Sequence, residues 1–306
     1  MTSPKQSSSA GHNRPLKPEY SWSDGPLVTP VSLDPEEWNA LYVVFFLAEC
    51  TGSKVHLVHV KNASDSPEKK KKLLEEVDKF AKNLKVKYEF HQVYPKKDVA
   101  GVEDISNAIV QKSEMVNANA IVMAANRETF FRELFGRISD RVVRGSSTKV
   151  ILVETPSRGI KLPSTPKKIL IPILREEPKP DPFIIASALT SSASTPNVEV
   201  IVIRVVPMPP TIPLDASEVS DILRSEEQDF SLKISTYIQG LGRFFSPRMI
   251  AVRQVGEEVA SFAKENHVDL IILQGDRSSG GYRSFTRSEK YEIVSKAHCL
   301  TLVVYS

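Results

Sequence analysis

The sequence is poor in features that assign a function directly. Two cysteines in 306 residues are too few for a disulfide framework, which is compatible with a reducing compartment. A formal net charge of +3 is too small to predict a nucleic-acid partner. The longest apolar run, Ala40–Ala48, is about half of what spans a bilayer, and residues 1–22 lack the apolar region of a signal peptide. These absences predict a cytoplasmic globular protein.

Constellations for catalysis or metal binding are also scarce. His56 and His59 lie on one predicted strand with their side chains on opposite faces, so they cannot bind one metal ion together. Both are interpreted as histidines of the core or its rim. Cys50 and Cys299 stand among apolar neighbours and are expected to be buried thiols. No Ser/His/Asp or paired-carboxylate arrangement is recognisable, so the sequence predicts neither an enzyme nor a metal site.

What the sequence does contain is an internal repeat. The segment Gly136–Val153 aligns without a gap with Arg287–Val304, and the strands before each segment also correspond. The repeat units of solenoid proteins are only about 20–50 residues long. A length of 306 residues also suits two domains of about 150 residues each. The repeat therefore indicates a duplicated domain.

Strand-like and helix-like segments alternate on both sides of a proline-rich linker. The predicted divisions are a disordered tail over 1–22, a first domain over 23–155, a linker over 156–167 and a second domain over 168–306. Alternation of this kind implies strand–helix–strand crossovers and parallel strands. Each domain is therefore predicted to be α/β, with an open five-stranded parallel sheet and helices on both faces.

Two predicted elements have boundaries that matter below. A helix is predicted over 35–50, with Asp34 as its N-cap and proline at the first helical position. A strand is predicted over 249–255, followed by a helix over 256–266.

Several segments resemble those of one known family. They are Val28–Val31, Ile171–Ile173, Leu57–Val60, Gly136–Val143, Lys149–Val153 and the cysteine at Cys299. With them, residues 24–306 resemble the universal stress protein family in a tandem two-domain form. The resemblance implies an adenine-nucleotide alpha-hydrolase-like, or Rossmann-like, fold. It also implies that the two domains pair through their last strands, Lys149–Val153 and Leu300–Val304, with a homodimer left open.

Nucleotide-binding members of that family carry a glycine motif after the fourth strand, G-x-x-G followed by a spacer and Gly-Ser or Gly-Thr. Such glycines let backbone N–H groups approach phosphates, and the hydroxyl sits at a positive helix N-terminus. Here the first glycine position is Ala124 in one repeat and Gln274 in the other. The residues that the resemblance places around a bound nucleotide are Ser32, Asn126, Arg127, Gly136 and Arg137 in the first repeat, and Pro172, Gly275, Arg277, Arg287 and Ser288 in the second.

Replacing these glycines predicts the loss of standard ATP binding, because a side chain there blocks the approach of phosphates. The predicted function is a non-catalytic regulatory or binding module. Two alternatives stay open. One is a nucleotide-dependent switch that holds ATP, AMP or another phosphate ligand through the arginine-rich loops. The other, implied by the resemblance, is a cytoplasmic regulatory unit of a membrane transporter.

Overall fold

One sheet of ten strands runs through both halves of the chain, in the order β3-β2-β1-β4-β5-β10-β9-β6-β7-β8. The structure is a computed structural model, and it describes residues 22, 25–33, 38–63, 65–95, 100–125, 132–155, 166–191, 197–238, 245–277 and 289–306. Within these ranges, no helix combines the length and apolarity that a membrane span requires.

Each half contributes five strands and, within the described residues, four helices. In the first half they are β1 (Leu27–Pro30), α1 (Asn39–Thr51), β2 (Val55–Val60), α2 (Pro67–Asn83), β3 (Tyr88–Val93), α3 (Val102–Met115), β4 (Ala120–Ala124), α4 (Arg132–Gly145) and β5 (Lys149–Glu154). In the second they are β6 (Lys168–Ile173), α5 (Pro180–Ser191), β7 (Glu199–Pro207), α6 (Ser217–Ile238), β8 (Phe245–Val252), α7 (Val255–Glu265), β9 (Leu270–Gln274), α8 (Glu289–Lys296) and β10 (Leu300–Tyr305).

All strand pairs inside a half are parallel, and the halves meet at one antiparallel pair, β5 with β10. The register of that pair runs from Thr301 opposite Glu154 to Tyr305 opposite Val150. The predicted α/β class is therefore confirmed, and the two predicted five-stranded sheets are halves of a continuous one. The pairing also leaves β5 and β10 without an open edge.

Helices cover both faces of the sheet, which explains why the inner strands β4, β5, β6, β9 and β10 are apolar along most of their length. Side chains of α1, α2, α5 and α6 pack on one face, and those of α3, α4, α7 and α8 pack on the other. In β4, Ile121 and Val122 point to opposite faces, and both have no exposed surface. Burying such a side chain on either face stabilises the fold by about 1.5–3 kcal/mol.

Helix α1 is apolar nearly all round because it has more than one packing partner. It contacts α2 within the first half and α5 of the second half. The helix begins at Asn39, after Trp38 at the N-cap position, and it ends at Gly52 with a positive φ of 67°. The predicted cap Asp34 lies outside the described residues. Helix α1 therefore links the cores of the two halves.

Two sequence-based predictions are wrong in detail. The strand predicted over 249–255 is Phe245–Val252, and it contains Pro247. A proline cannot donate to a strand ladder, but β8 is the outermost strand and needs hydrogen bonds on one side only. Of the two thiols expected to be buried, Cys299 is buried, whereas Cys50 is partly exposed.

Candidate functional site

A crevice opens in each half where the first strand separates from the fourth. The ladder of β1 with β4 ends at Val28, although its ladder with β2 continues to Pro30. In the second half, β6 leaves β9 after Leu170 and stays paired with β7 through Ile173. The prolines lie in the separated part, where a missing N–H is tolerated. Such a gap at the carboxyl ends of parallel strands is where α/β sheets bind ligands.

In the second crevice, the side-chain amide of Gln274 is hydrogen-bonded to backbone groups of the protein. Its Oε1 accepts a hydrogen bond from the Lys179 backbone N–H at 2.8 Å, and its Nε2 donates to the Glu177 carbonyl at 3.3 Å. Gln274 is 5% exposed. Residues 174–179, which follow β6, are thereby tied to the end of β9. A glutamine amide thus stands where the resemblance has the first glycine of a phosphate cradle.

Arg204 of β7 holds the same segment from the other side. Its Nη1 donates to the carbonyls of Leu174 at 2.8 Å and Glu176 at 3.2 Å. The Glu176 carboxylate forms an ion pair with Lys290 near the start of α8, at 2.8 Å. Backbone carbonyls accept well from a guanidinium, whose donors are fixed in a fork. The segment after β6 is consequently fastened to three elements: β7, β9 and α8.

The first crevice is built differently at the equivalent positions. The register places Val58 opposite Pro30 and Ile203 opposite Pro172, so His59 corresponds to Arg204. The buried His59 lies with Nδ1 3.0 Å from the Val31 carbonyl.

Asp65 fixes this histidine from its other side, with Oδ2 2.7 Å from Nε2 of His59. Nearby, the indole N–H of Trp38 donates to the carbonyl of Ser32 at 3.0 Å. Ala124 ends β4 where Gln274 ends β9, so the Gln274 amide of the second crevice has no counterpart at this position of the first.

Arg277, predicted to contact a phosphate, reaches into the first half instead. Its Nη2 donates to the carbonyls of Thr148 at 2.6 Å and Tyr305 at 3.2 Å, and its Nη1 donates to the carbonyl of Ser146. Burial lowers the pKa of this guanidinium from its ordinary value, and the charge of Asp181 opposes that effect. Arg277 therefore connects the loop before β5 with the end of β10, and its predicted role toward a phosphate stays a prediction.

Asp181 extends this contact between the halves. Its carboxylate lies 2.5 Å from Nζ of Lys149 and also accepts a hydrogen bond from the Ser306 hydroxyl. The side chains of Asp181 and Lys149 are 12% and 16% exposed. Removal of either partner of such a nearly buried ion pair strongly destabilises the fold, since the other charge would be left unpaired.

Gly275 is required by packing against β10. A Cβ atom at this position would lie 2.6 Å from the ring of Tyr305, a fully buried side chain. The backbone N–H of Gly275 donates to the Val304 carbonyl at 2.7 Å. In the first half, Ala125 makes the equivalent bond to Val153 at 2.9 Å. The close approach of the ring explains this glycine without a ligand.

The other predicted phosphate residues are dispersed or outside the description. Arg137 is exposed on α4, which also contains the backbone of Gly136. Asn126, Arg127, Arg287 and Ser288 lie outside the described residues. The predicted phosphate cradles consist largely of the loops after β4 and β9, which contain these four residues. The cradles therefore remain predictions.

One histidine neighbourhood is not recognisable from the sequence. His56 and His59 do lie on opposite faces of β2, but His56 pairs with His91 of β3, with Nδ1 and Nε2 2.8 Å apart. The rings are stacked with centroids 5.1 Å apart. The two residues are far apart in the chain, so only the strand register brings them together.

Comparison with known proteins assigns the first half. Residues 25–154 match the model of the Universal stress protein family. Residues 25–154 are therefore a universal stress protein domain, which confirms the resemblance over the first half of the chain. None of the curated proteins matches the sequence.

Solved structures show the tandem fold over nearly the whole chain. A universal stress protein from Archaeoglobus fulgidus DSM 4304 is 16% identical with a TM-score of 0.60, and the match covers 93% of this chain and 97% of that one. The cytoplasmic domain of a prokaryotic cation chloride cotransporter is 11% identical, with a TM-score of 0.56 and coverages of 93% and 96%. A functionally unknown protein from Pseudomonas aeruginosa PAO1 is 12% identical, with a TM-score of 0.53 and coverages of 91% and 92%.

Proposed function

We propose that the chain is a non-catalytic regulatory module of the universal stress protein family whose second half does not bind ATP through a glycine cradle. The observation that carries the proposal is the Gln274 amide, which is hydrogen-bonded on both sides to the segment after β6. A phosphate at that position needs free backbone N–H groups and no intervening side chain. For ATP to bind there, Gln274 would have to leave both partners.

A thermal-shift titration of the full chain with ATP and AMP tests this proposal. A ligand at about 100 times its Kd stabilises a protein by about 2.7 kcal/mol, so a Kd near 10 µM would be evident at about 1 mM nucleotide. We expect no saturable shift assigned to the second half. A saturable thermal shift of the wild type that is lost in Arg277→Ala or in Arg287→Ala would contradict the proposal.

A nucleotide-dependent switch in the first half is the second candidate. It is favoured by Ala124, because this side chain has no amide that could close the end of β4 in the way that Gln274 closes the end of β9. The matched variant is Ala124→Gln, which transfers the amide of the second half to the first. Nucleotide binding that is saturable in the wild type and lost in Ala124→Gln would support the switch. Absence of binding at millimolar nucleotide would exclude it.

A role as the regulatory unit of a membrane transporter is a third candidate. It is supported by the tandem fold shared with the cytoplasmic domain of a cation chloride cotransporter, at a TM-score of 0.56. Affinity capture from detergent-solubilised membranes, with mass spectrometry of the retained proteins, tests it. Reproducible recovery of one transporter is the expected result, and recovery of none counts against this role.

We also propose that the protein acts in the cytoplasm and that the β5–β10 pair holds its halves together within one chain in solution. This pairing is supported by the Asp181–Lys149 ion pair and the Arg277 contacts that accompany it. Light scattering after gel filtration is expected to give the monomer mass of 34.1 kDa. A homodimer that dissociates when β10 is altered would indicate pairing between chains.

A further inference from the structure

Two histidines and a glutamate meet at the outer edge of the first half. β3 is the outermost strand of this half, and its parallel register with β2 sets His56 opposite Glu89 and Val58 opposite His91. Side chains alternate along a strand, so Glu89 and His91 share one face of β3. Val58, which shares this face, belongs to the same core cluster as Ile109 of α3, so this is the face that α3 covers.

The donor atoms of these three side chains form a small triangle. Nδ1 of His56 and Nε2 of His91 are 2.8 Å apart, and Oε2 of Glu89 lies 3.4 Å from each of them. Zn²⁺ binds imidazole nitrogen and carboxylate oxygen at about 2.0–2.2 Å, so donor atoms in a tetrahedral site are about 3.3–3.5 Å apart. Two edges of the triangle already have this length. The third needs the imidazoles to separate by roughly half an ångström.

The protonation states suit metal binding. Burial is the main cause that lowers the pKa of His56 and of His91, and Lys112 of α3 lowers both further. Neutral imidazole is the form that binds metal ions. A hydrogen bond from Lys54 lowers the pKa of Glu89, which is therefore a carboxylate. When an ion binds, each neutral imidazole would carry its proton on the ring nitrogen that faces away from the ion. Binding would therefore release no proton.

Exposure and charge define what kind of site this is. The His56 side chain is 8% exposed and that of His91 is 26% exposed, so the imidazoles are held by the fold. Glu89 is half-exposed, which leaves room for water on the open side of an ion. Lys54 binds the other carboxylate oxygen, Oε1, and its charge opposes a cation. Two imidazoles and one carboxylate with an open position are a donor set used for zinc and other divalent transition metals.

We propose that His56, Glu89 and His91 bind one divalent transition-metal ion of the Zn²⁺ class, which links β2 to the outermost strand β3. Among the described residues, no other group of three such side chains brings its donor atoms this close together. The second half provides an internal comparison, because the register places Ile201, Ser246 and Arg248 at the corresponding positions. The site is thus confined to one half and is separate from both crevices.

Titration of the full, untagged chain with Zn²⁺ by calorimetry, with Co²⁺ absorption as a second readout, tests the proposal. We expect one ion per chain and a rise in Tm with metal. Loss of an outer-shell partner typically weakens metal affinity about 10- to 100-fold, so His91→Ala and Glu89→Gln, which remove a ligand, are expected to weaken it at least as much. Lys54→Gln is expected to tighten binding, because it removes the opposing charge.

The matched control is His267→Asn in the second half. His267 is an exposed histidine with a positive φ of 53°, a conformation that asparagine tolerates. Circular dichroism of each variant establishes that it is folded. Wild-type binding retained in His267→Asn and lost in His91→Ala supports the site. No binding by the wild type, or binding unchanged in both His91→Ala and Glu89→Gln, overturns it.

Discussion

The two halves of the chain solve one structural problem with different side chains. In each, the segment after the first strand must be held at the mouth of a crevice. The first half uses a histidine of β2, which Asp65 fixes, and ends its fourth strand in Ala124. The second half uses Arg204 of β7 and adds the amide of Gln274 at the end of β9. The same fold therefore ends β4 in a small side chain and β9 in a hydrogen-bonded amide.

The difference shows that a duplicated fold does not imply a duplicated site. Both halves retain the separation of the first and fourth strands that creates a ligand crevice in α/β sheets. In the second half, the Gln274 amide is hydrogen-bonded to the backbone of the segment after β6, whereas β4 of the first half ends in Ala124. Function in this molecule must therefore be assigned to each half separately.

The largest expected effect concerns the contact that joins the halves. Asp181→Ala leaves Lys149 nearly buried without its partner, which is expected to cost about 3 kcal/mol. The control is Glu75→Ala, which breaks the exposed Lys71–Glu75 pair and is expected to cost at most about 1 kcal/mol. Urea unfolding midpoints compare the two. Equal midpoints for both variants would show that the Asp181–Lys149 contact does not hold the halves together.

A smaller effect is expected where the halves differ beside β10. Gly275→Ala places a Cβ 2.6 Å from the Tyr305 ring, and overpacking of this kind costs about 1–3 kcal/mol. The reciprocal change Ala125→Gly in the first half is expected to cost about 0.4–1 kcal/mol, mainly through the entropy of the unfolded chain. Thermal unfolding of both variants checks the order. A larger loss for Ala125→Gly would contradict the packing explanation of Gly275.

The fastening of the second crevice predicts a local effect. In Gln274→Ala, the Lys179 N–H and the Glu177 carbonyl lose their partner, which is expected to cost about 1–2 kcal/mol. Hydrogen exchange of the Lys179 amide is expected to accelerate more than that of amides in the central strands. Ala124→Gln is the reciprocal variant, and no such acceleration is expected in it. Unchanged protection of Lys179 in Gln274→Ala would mean that the amide does not hold this segment.

The smallest expected effect is the pH dependence that His56 and His91 of the first half contribute. The pKa values of His56 and His91 are lowered in the folded chain, so the unfolded chain binds more protons below the ordinary imidazole range. Their contribution to stability is fully present above about pH 6.5 and is lost as pH falls through the lowered pKa values. The charged groups that face them are Lys54, Glu89 and Lys112.

The metal-free full chain, measured between pH 7 and pH 5, tests this pH dependence. The His91→Gln variant is expected to lose less stability over this interval than the wild type. His298 has the same direction of shift in the second half and remains in both proteins, so it cancels in the comparison. An identical pH dependence of both proteins would contradict the expectation.

The sequence predicts the architecture well because its signals are local. Alternating apolar strands and capped helices indicate α/β units, and the repeated closing block indicates two of them. The bounds of β8 are less predictable, because only the sheet order reveals that β8 is an outer strand that accepts a proline. The roles of Arg277 and of the His56–His91 pair depend on contacts across strands and halves, which no local pattern contains.

The measurement that tests the central claim most directly is a crystal structure of the full chain grown with millimolar ATP. We expect the Gln274 amide to keep its bonds to Glu177 and Lys179, with no nucleotide between the ends of β6 and β9. Nucleotide density in that crevice, with Gln274 swung away from these partners, would contradict the account.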